Sequence, residues 1–156
     1  MASSSASSSH YPPQWKYVVF VSFRGEDTRT KFTSHLFKGL NNRGIFTFQD
    51  DKRLEYGDSI PKEHMKAIKY SKVALVVFTK NYATSRWCLD ELVKIMECKD
   101  KNGQIVIPIF YDVDPSHVRN QRESFAEAFT QHELKYCHDP KMDVMALVLT
   151  HQDKSA

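Results

Sequence analysis

From Tyr17 onward the chain alternates short apolar runs with stretches in which apolar residues return every three or four positions. Val18-Val19-Phe20-Val21 is almost continuously hydrophobic, as in a strand covered on both faces. Phe32, Leu36, Phe37 and Leu40 then keep a helical period, which Asn42 and Gly44 are suited to end. Phe46-Thr47-Phe48 predicts a short second strand, and the polar stretch from Asp50 to Ser59, with Gly57 in it, predicts a loop. Pro61 can open a helix without losing a hydrogen bond, and Ile60, His64, Ala67 and Ile68 give that helix a buried stripe. Val73-Ala74-Leu75-Val76-Val77-Phe78 is the clearest buried strand of the chain. A helix follows it, with Thr84 and Ser85 as good N-cap residues and Leu89, Leu92, Val93 and Met96 along one apolar face. Ile105-Val106-Ile107-Pro108-Ile109-Phe110 predicts a fourth strand, in which Pro108 cannot donate to a ladder and so implies a bulge or an edge. Asp112-Val113-Asp114-Pro115 reads as a turn, and Phe125, Ala128, Phe129 and His132 mark a fourth helix.

Strands alternating with helices imply right-handed crossovers and a parallel sheet with helices on both faces. The expected architecture is a flavodoxin-like three-layer α/β sandwich, strand order 2-1-3-4, with the fifth strand atypical or missing. Residues 1–14 are expected to be a disordered Ser-rich leader, 15–138 the domain, and 139–156 a divergent tail. Ligands of such sheets bind beyond the C-terminal ends of the strands, near the point where strand order reverses. The loops Arg24 to Thr28, Asp50 to Ser59 and Asn81 to Cys88 all leave strands at that end.

Composition narrows the classes. At 156 residues there is room for one well-cored domain, and a net charge of +3 makes no demand for nucleic acid or an anionic membrane. No apolar run has transmembrane length, and the Ser-rich leader lacks the apolar stretch of a secretory signal. An intracellular location is therefore expected, the cytoplasm first and the nucleus as a second compartment. Three cysteines at unrelated spacings suit a reducing compartment, and seven scattered histidines form no metal-ligand cluster.

Candidate chemistry centres on Trp87-Cys88-Leu89-Asp90-Glu91-Leu92. Trp87 and Glu91 are four apart and share a helix face near its first turn, at a position read as exposed. An indole beside a carboxylate at the mouth of the sheet outlines a nucleotide site. The alternative is that Asp90 and Glu91 complement the positive helix N-terminus while Trp87 packs as core.

The same hexapeptide stands in the company of Phe20-Val21-Ser22-Phe23-Arg24-Gly25-Glu26-Asp27-Thr28-Arg29, Phe32-Thr33-Ser34-His35-Leu36, Gly44-Ile45-Phe46-Thr47-Phe48 and Ile107-Pro108-Ile109-Phe110-Tyr111-Asp112-Val113-Asp114-Pro115. In that order the strings resemble the Toll/interleukin receptor (TIR) domain found at the N-terminus of plant intracellular immune receptors, from about Tyr17 to about Tyr136. The resemblance implies an NAD+ hydrolase of innate immune signalling, yielding ADP-ribose or cyclic ADP-ribose type signals, with Glu91 catalytic and NAD+ as substrate rather than a resident cofactor. It also implies that Arg24, Gly25, Glu26, Asp27 and Thr28 line the nucleotide site, that Gly57 lies in a mobile loop, and that Trp87 flanks the catalytic helix. Self-association, and pairing with other TIR domains, would run through Ser34 and His35. Cys88 matches a cysteine linked in some relatives to making cyclic nucleotides, against which stands a buried, inert thiol.

The chemistry agrees with that implication. Phe23-Arg24-Gly25-Glu26-Asp27 is not a Gly-x-Gly-x-x-Gly loop, and Phe78-Thr79-Lys80 lacks the aspartate of a phosphoacceptor receiver. Glycosidases pair two carboxyls because their leaving oxygen must be protonated, whereas the pyridinium of NAD+ leaves as neutral nicotinamide. One glutamate then suffices. The chain departs from the family at Val18, Lys69 and Tyr70, and Pro140 to Leu149 stands where a tryptophan-containing helix and a last strand are expected, as in a truncated form. That tail is expected to dock as an edge strand or short helix. The rival function is a non-catalytic TIR adaptor or decoy that binds full-length TIR immune receptors.

Overall fold

The computed structural model describes residues 15–25, 32–48 and 60–136. Within them the chain forms β1 (Tyr17–Ser22), α1 (Phe32–Asn42), α2 (Lys62–Lys69), β2 (Ser71–Phe78), a single 3-10 turn at Tyr82–Thr84, α3 (Arg86–Asn102), β3 (Ile105–Phe110), α4 (Pro115–Arg119) and α5 (Ser124–Tyr136). The strands pair in parallel in the order β1-β2-β3, β1 to β2 from Tyr17↔Ser71 to Ser22↔Val76, and β2 to β3 from Val73↔Ile105 to Phe78↔Phe110.

The expected second strand is reduced to one parallel bridge, Val19↔Thr47. The Val19 backbone meets Phe46 O and Phe48 N, both at 3.3 Å, so the segment lies along the β1 edge that β2 leaves open. Counting this bridged segment as the second extended stretch in chain order, the order is 2-1-3-4, the flavodoxin-like order expected, with three of the four forming strands. Thr47 Oγ1 is buried there with no partner among the described residues.

Period-two alternation sorts β1 and β2 into two cores. Val19, Val21, Phe23, Leu75 and Val77 face α1, whose Phe32, Leu36, Phe37 and Leu40 cover them. Phe20, Ala74, Val76 and Phe78 face the opposite layer, into which α2 sends Ala67 and Ile68, α3 sends Leu89, Leu92 and Ile95, and α5 sends Phe125 and Ala128. Three layers result. Helix α3 illustrates the balance: its cap contributes about 1 kcal/mol, while burying Leu89, Leu92 and Ile95 completely contributes roughly 1.5–3 kcal/mol each.

Local chemistry sets the ends of these elements. Pro61 is the N-cap of α2 rather than its first helical residue, with φ −62° and ψ 151°. Helix α3 closes on Gly103, whose φ of 70° lies in the left-handed region that a residue without Cβ enters freely. Asp112 to Pro115 is more than a turn: the Asp114 carboxylate accepts from Ser116 N at 2.8 Å and Pro115 begins α4. The short helix escapes a periodicity search because it buries only Val118. Pro108 sits opposite Val76 in an unbroken register, so it makes no bulge. Among the described residues β3 is instead the edge of the sheet, with Ile105 50% and Ile107 44% exposed. The leader, the tail, Glu26 to Thr28 and Gly57 lie outside the described residues.

Candidate functional site

Three elements meet at the C-terminal end of β1. Because side chains alternate along a strand, Ser22 shares the face of Phe20 and turns toward α3. Ser85 caps α3, its Oγ accepting from Cys88 N at 3.2 Å, so that Trp87, Cys88, Glu91, Leu92 and Ile95 all point inward. Helix α2 supplies His64 from its buried stripe.

Glu91 is the centre of this arrangement and is 0% exposed. The expectation of an exposed first-turn carboxylate is thereby corrected: residues 87, 91 and 95 are four apart on the face that packs inward, and burial follows from that spacing. Ser22 Oγ donates to Glu91 Oε2 at 2.7 Å. His64 Nδ1 lies 3.2 Å from Oε1. Tyr82 Oη stands 2.9 Å from Ser22 Oγ and donates to Cys88 O at 3.0 Å. Ser22 and Tyr82 own one hydroxyl proton each for these contacts; with the Ser22 proton on Glu91, the Tyr82 proton serves Ser22 or the Cys88 carbonyl in turn.

The walls are aromatic. The His64 imidazole meets the rings of Phe48, Trp87 and Phe20 edge to face, at 5.4, 5.9 and 6.4 Å between centroids. In such surroundings each hydrogen bond to the carboxylate is strengthened, and any polar atom left unpaired is costly. Trp87 is 4% exposed and packs as core beside this cluster. Cys88 is also fully buried. Burial raises the Cys98 thiol above its ordinary range, which keeps it protonated and inert.

The neighbouring loops are tied to one another. Arg24 Nε donates to Thr84 Oγ1 at 2.9 Å, and Thr84 Oγ1 donates to Asn81 O at 2.6 Å, which pins the exit of β1 to the exit of β2. Of the residues expected at the site, the structure thus brings Arg24, Trp87 and Glu91 to one end of the sheet, with half-buried Gly25 next to Arg24. Ser34 and His35 lie apart from them, exposed on α1. Sequence reasoning missed Ser22, His64 and Tyr82 as partners of the carboxylate. Two signals were available: a hydroxyl on an otherwise apolar strand face, and a histidine in a buried helix stripe.

A family model for the TIR domain matches residues 16–142. The chain belongs to the TIR domain family. This TIR domain is 69% identical over 139 residues to TMV resistance protein N of Nicotiana glutinosa, covering 89% of this chain and 12% of that protein. It is 58% identical over 132 residues to disease resistance protein RPV1 of Vitis rotundifolia, covering 85% of this chain and 9% of that protein. The chain therefore spans only about a tenth of the length of these relatives. Its structure is similar to the TIR domains of the activated Roq1 resistosome directly recognizing the pathogen effector XopQ, with a TM-score of 0.80 and 53% identity over 86% of this chain and 82% of that one.

Proposed function

We propose that this TIR domain is an NAD+ hydrolase of plant innate immune signalling that works in the cytoplasm and is activated by self-association. The observation that carries the reading is the carboxylate of Glu91, enclosed at the C-terminal end of a parallel sheet and met on both oxygens by Ser22 and His64. In the reaction the bond between ribose C1′ and the pyridinium nitrogen breaks, and its electron pair stays with nitrogen as neutral nicotinamide leaves. The oxocarbenium character left on the ribose is stabilised by the Glu91 carboxylate. Water adds at C1′ and loses a proton, giving ADP-ribose; attack by a group of the same nucleotide gives a cyclic product instead. Electrostatic stabilisation of this kind is strongest where water is excluded, as around Glu91.

Supporting the setting, the relatives N and RPV1 are named as resistance proteins, and the Roq1 TIR domains are part of a resistosome. Self-association is assigned to the exposed pair Ser34 and His35 on α1.

The enclosure of Glu91 also favours a second reading. A ribose reaches this carboxylate only when the residues enclosing it give way, and a domain that stays closed would act as a non-catalytic adaptor or decoy for full-length TIR receptors. Nicotinamide release by the purified chain, followed across a wide dilution series, separates the two. The enzyme shows a rate per molecule that rises with concentration, and Ser34→Ala with His35→Ala flattens the rise. No turnover at any concentration leaves the adaptor.

A further inference from the structure

His64 is 2% exposed, and an imidazole so buried is costly unless its nitrogens are satisfied. Its Nδ1 faces Glu91 Oε1 at 3.2 Å. The role given to Glu91 above requires an ionised carboxylate, which only accepts, and on that reading Nδ1 carries the proton of the contact. Ser22 already holds Oε2 at 2.7 Å. The two donors come from β1 and α2, while the acceptor rides on α3. Rotation of a carboxylate about its last torsion is soft, and donors on both oxygens from separate elements remove that freedom. The aromatic contacts from Phe48 and Trp87 in turn leave the imidazole little room to swing away.

We propose that His64 is a positioning residue that fixes the plane of the Glu91 carboxylate so that it faces the positive charge developing on the ribose, a role that rests on the NAD-cleaving reading above. The imidazole acts through Glu91, so its loss lowers kcat and leaves KM nearly unchanged. Misplacement of a catalytic group by about 1 Å costs up to roughly a hundredfold in rate. His64→Leu fills the site without a donor, whereas His64→Asn offers an amide N–H where Nδ1–H stands.

The test is steady-state nicotinamide release from NAD+ by the full chain and its His64→Leu, His64→Asn and Glu91→Ala variants. Expected for His64→Leu is a fall in kcat of about tenfold to a hundredfold with KM within about twofold, and for His64→Asn a return to within a few-fold of the parent. An unimpaired His64→Leu beside an active parent and a dead Glu91→Ala overturns the positioning role alone. Equal losses in the Leu and Asn variants overturn it too, since they would mark a packing effect. A parent with no turnover defeats the NAD-cleaving reading and this role together. Nitrogen-15 spectra of the histidine side chains keep the question open to decision if a variant folds poorly. They should show a proton on Nδ1 of His64 in the parent and a shifted resonance in Glu91→Gln, and an unprotonated Nδ1 overturns the proposal.

Discussion

The C-terminal end of the sheet carries two groups of ionisable residues that are opposites in construction. Around Glu91 one carboxylate is enclosed by aromatic rings and held by Ser22 and His64. Beyond β2 and β3, Lys80, Asp112, Asp114, His117, Glu123 and Glu127 line an open groove of about 740 Å³. The groove has more carboxylates, yet its Lys80 and Asp112 meet only at 4.0 Å with both side chains mostly in water. An exposed pair of that kind is worth about 0–1 kcal/mol, because solvent screens it. A catalytic carboxylate is best served by partners that fix its orientation away from bulk water. In the enclosed corner Ser22 and His64 hold Glu91 in that way, whereas the Lys80 and Asp112 side chains of the groove stand in solvent.

Substitutions should separate the two regions by size of effect. The largest loss is expected behind the enclosed corner, where Leu92 is fully buried: Leu92→Ala should cost about 2–5 kcal/mol in chemical denaturation, and a loss under 1 kcal/mol would show a core that collapses around the gap. Ser22→Ala removes the donor to Glu91 and the contact to Tyr82, with an expected cost of about 1–3 kcal/mol and a lower Tm. Unchanged stability there would mean that the network is not formed. In the groove, Asp112→Asn together with Glu127→Gln should stay within about 0.5 kcal/mol of the parent.

The smallest effect concerns pH. The Ser116 backbone N–H, and after it the Ser116 hydroxyl, hold the Asp114 carboxyl below its ordinary range. A carboxyl depressed in the folded state adds stability above its unfolded pKa of about 3.9, and that contribution is lost as pH falls through the folded value. Titration of Asp114 by carbon-13 NMR should give a midpoint below the ordinary one, and Ser116→Ala should move it up. A midpoint at the unfolded value would remove the cap interaction.

The same contrast explains what could be read from the residues in order. β1 and β2 announce themselves because both of their faces are largely buried, and β3, although an edge, because its six residues are all apolar. The cap and stripe of α3 are equally plain, since Ser85 and the spacing of Leu89 and Leu92 are local. Phe46-Thr47-Phe48 was harder: three residues with strand composition make one bridge, because pairing depends on how long the neighbour stays alongside. Glu91 could be picked out by its motif, but its burial runs against the usual exposure of carboxylates. Its partners stand far off in sequence, Ser22 by 69 positions and His64 by 27, so nothing near Glu91 points to them. Distance along the chain hid the network, although each member obeys a rule visible at its own position.

The most direct test of the enclosed corner as the chemical site is nicotinamide release from NAD+ by the parent, Glu91→Gln and Glu127→Gln, measured side by side at a concentration where the parent turns over. Glutamine keeps the volume of each side chain and removes its charge. The expected result is a parent-like rate for Glu127→Gln and a fall of about a hundredfold or more for Glu91→Gln, the scale of a lost electrostatic stabiliser. A Glu91→Gln protein that releases nicotinamide at the parent rate, or a Glu127→Gln protein that does not, would contradict it.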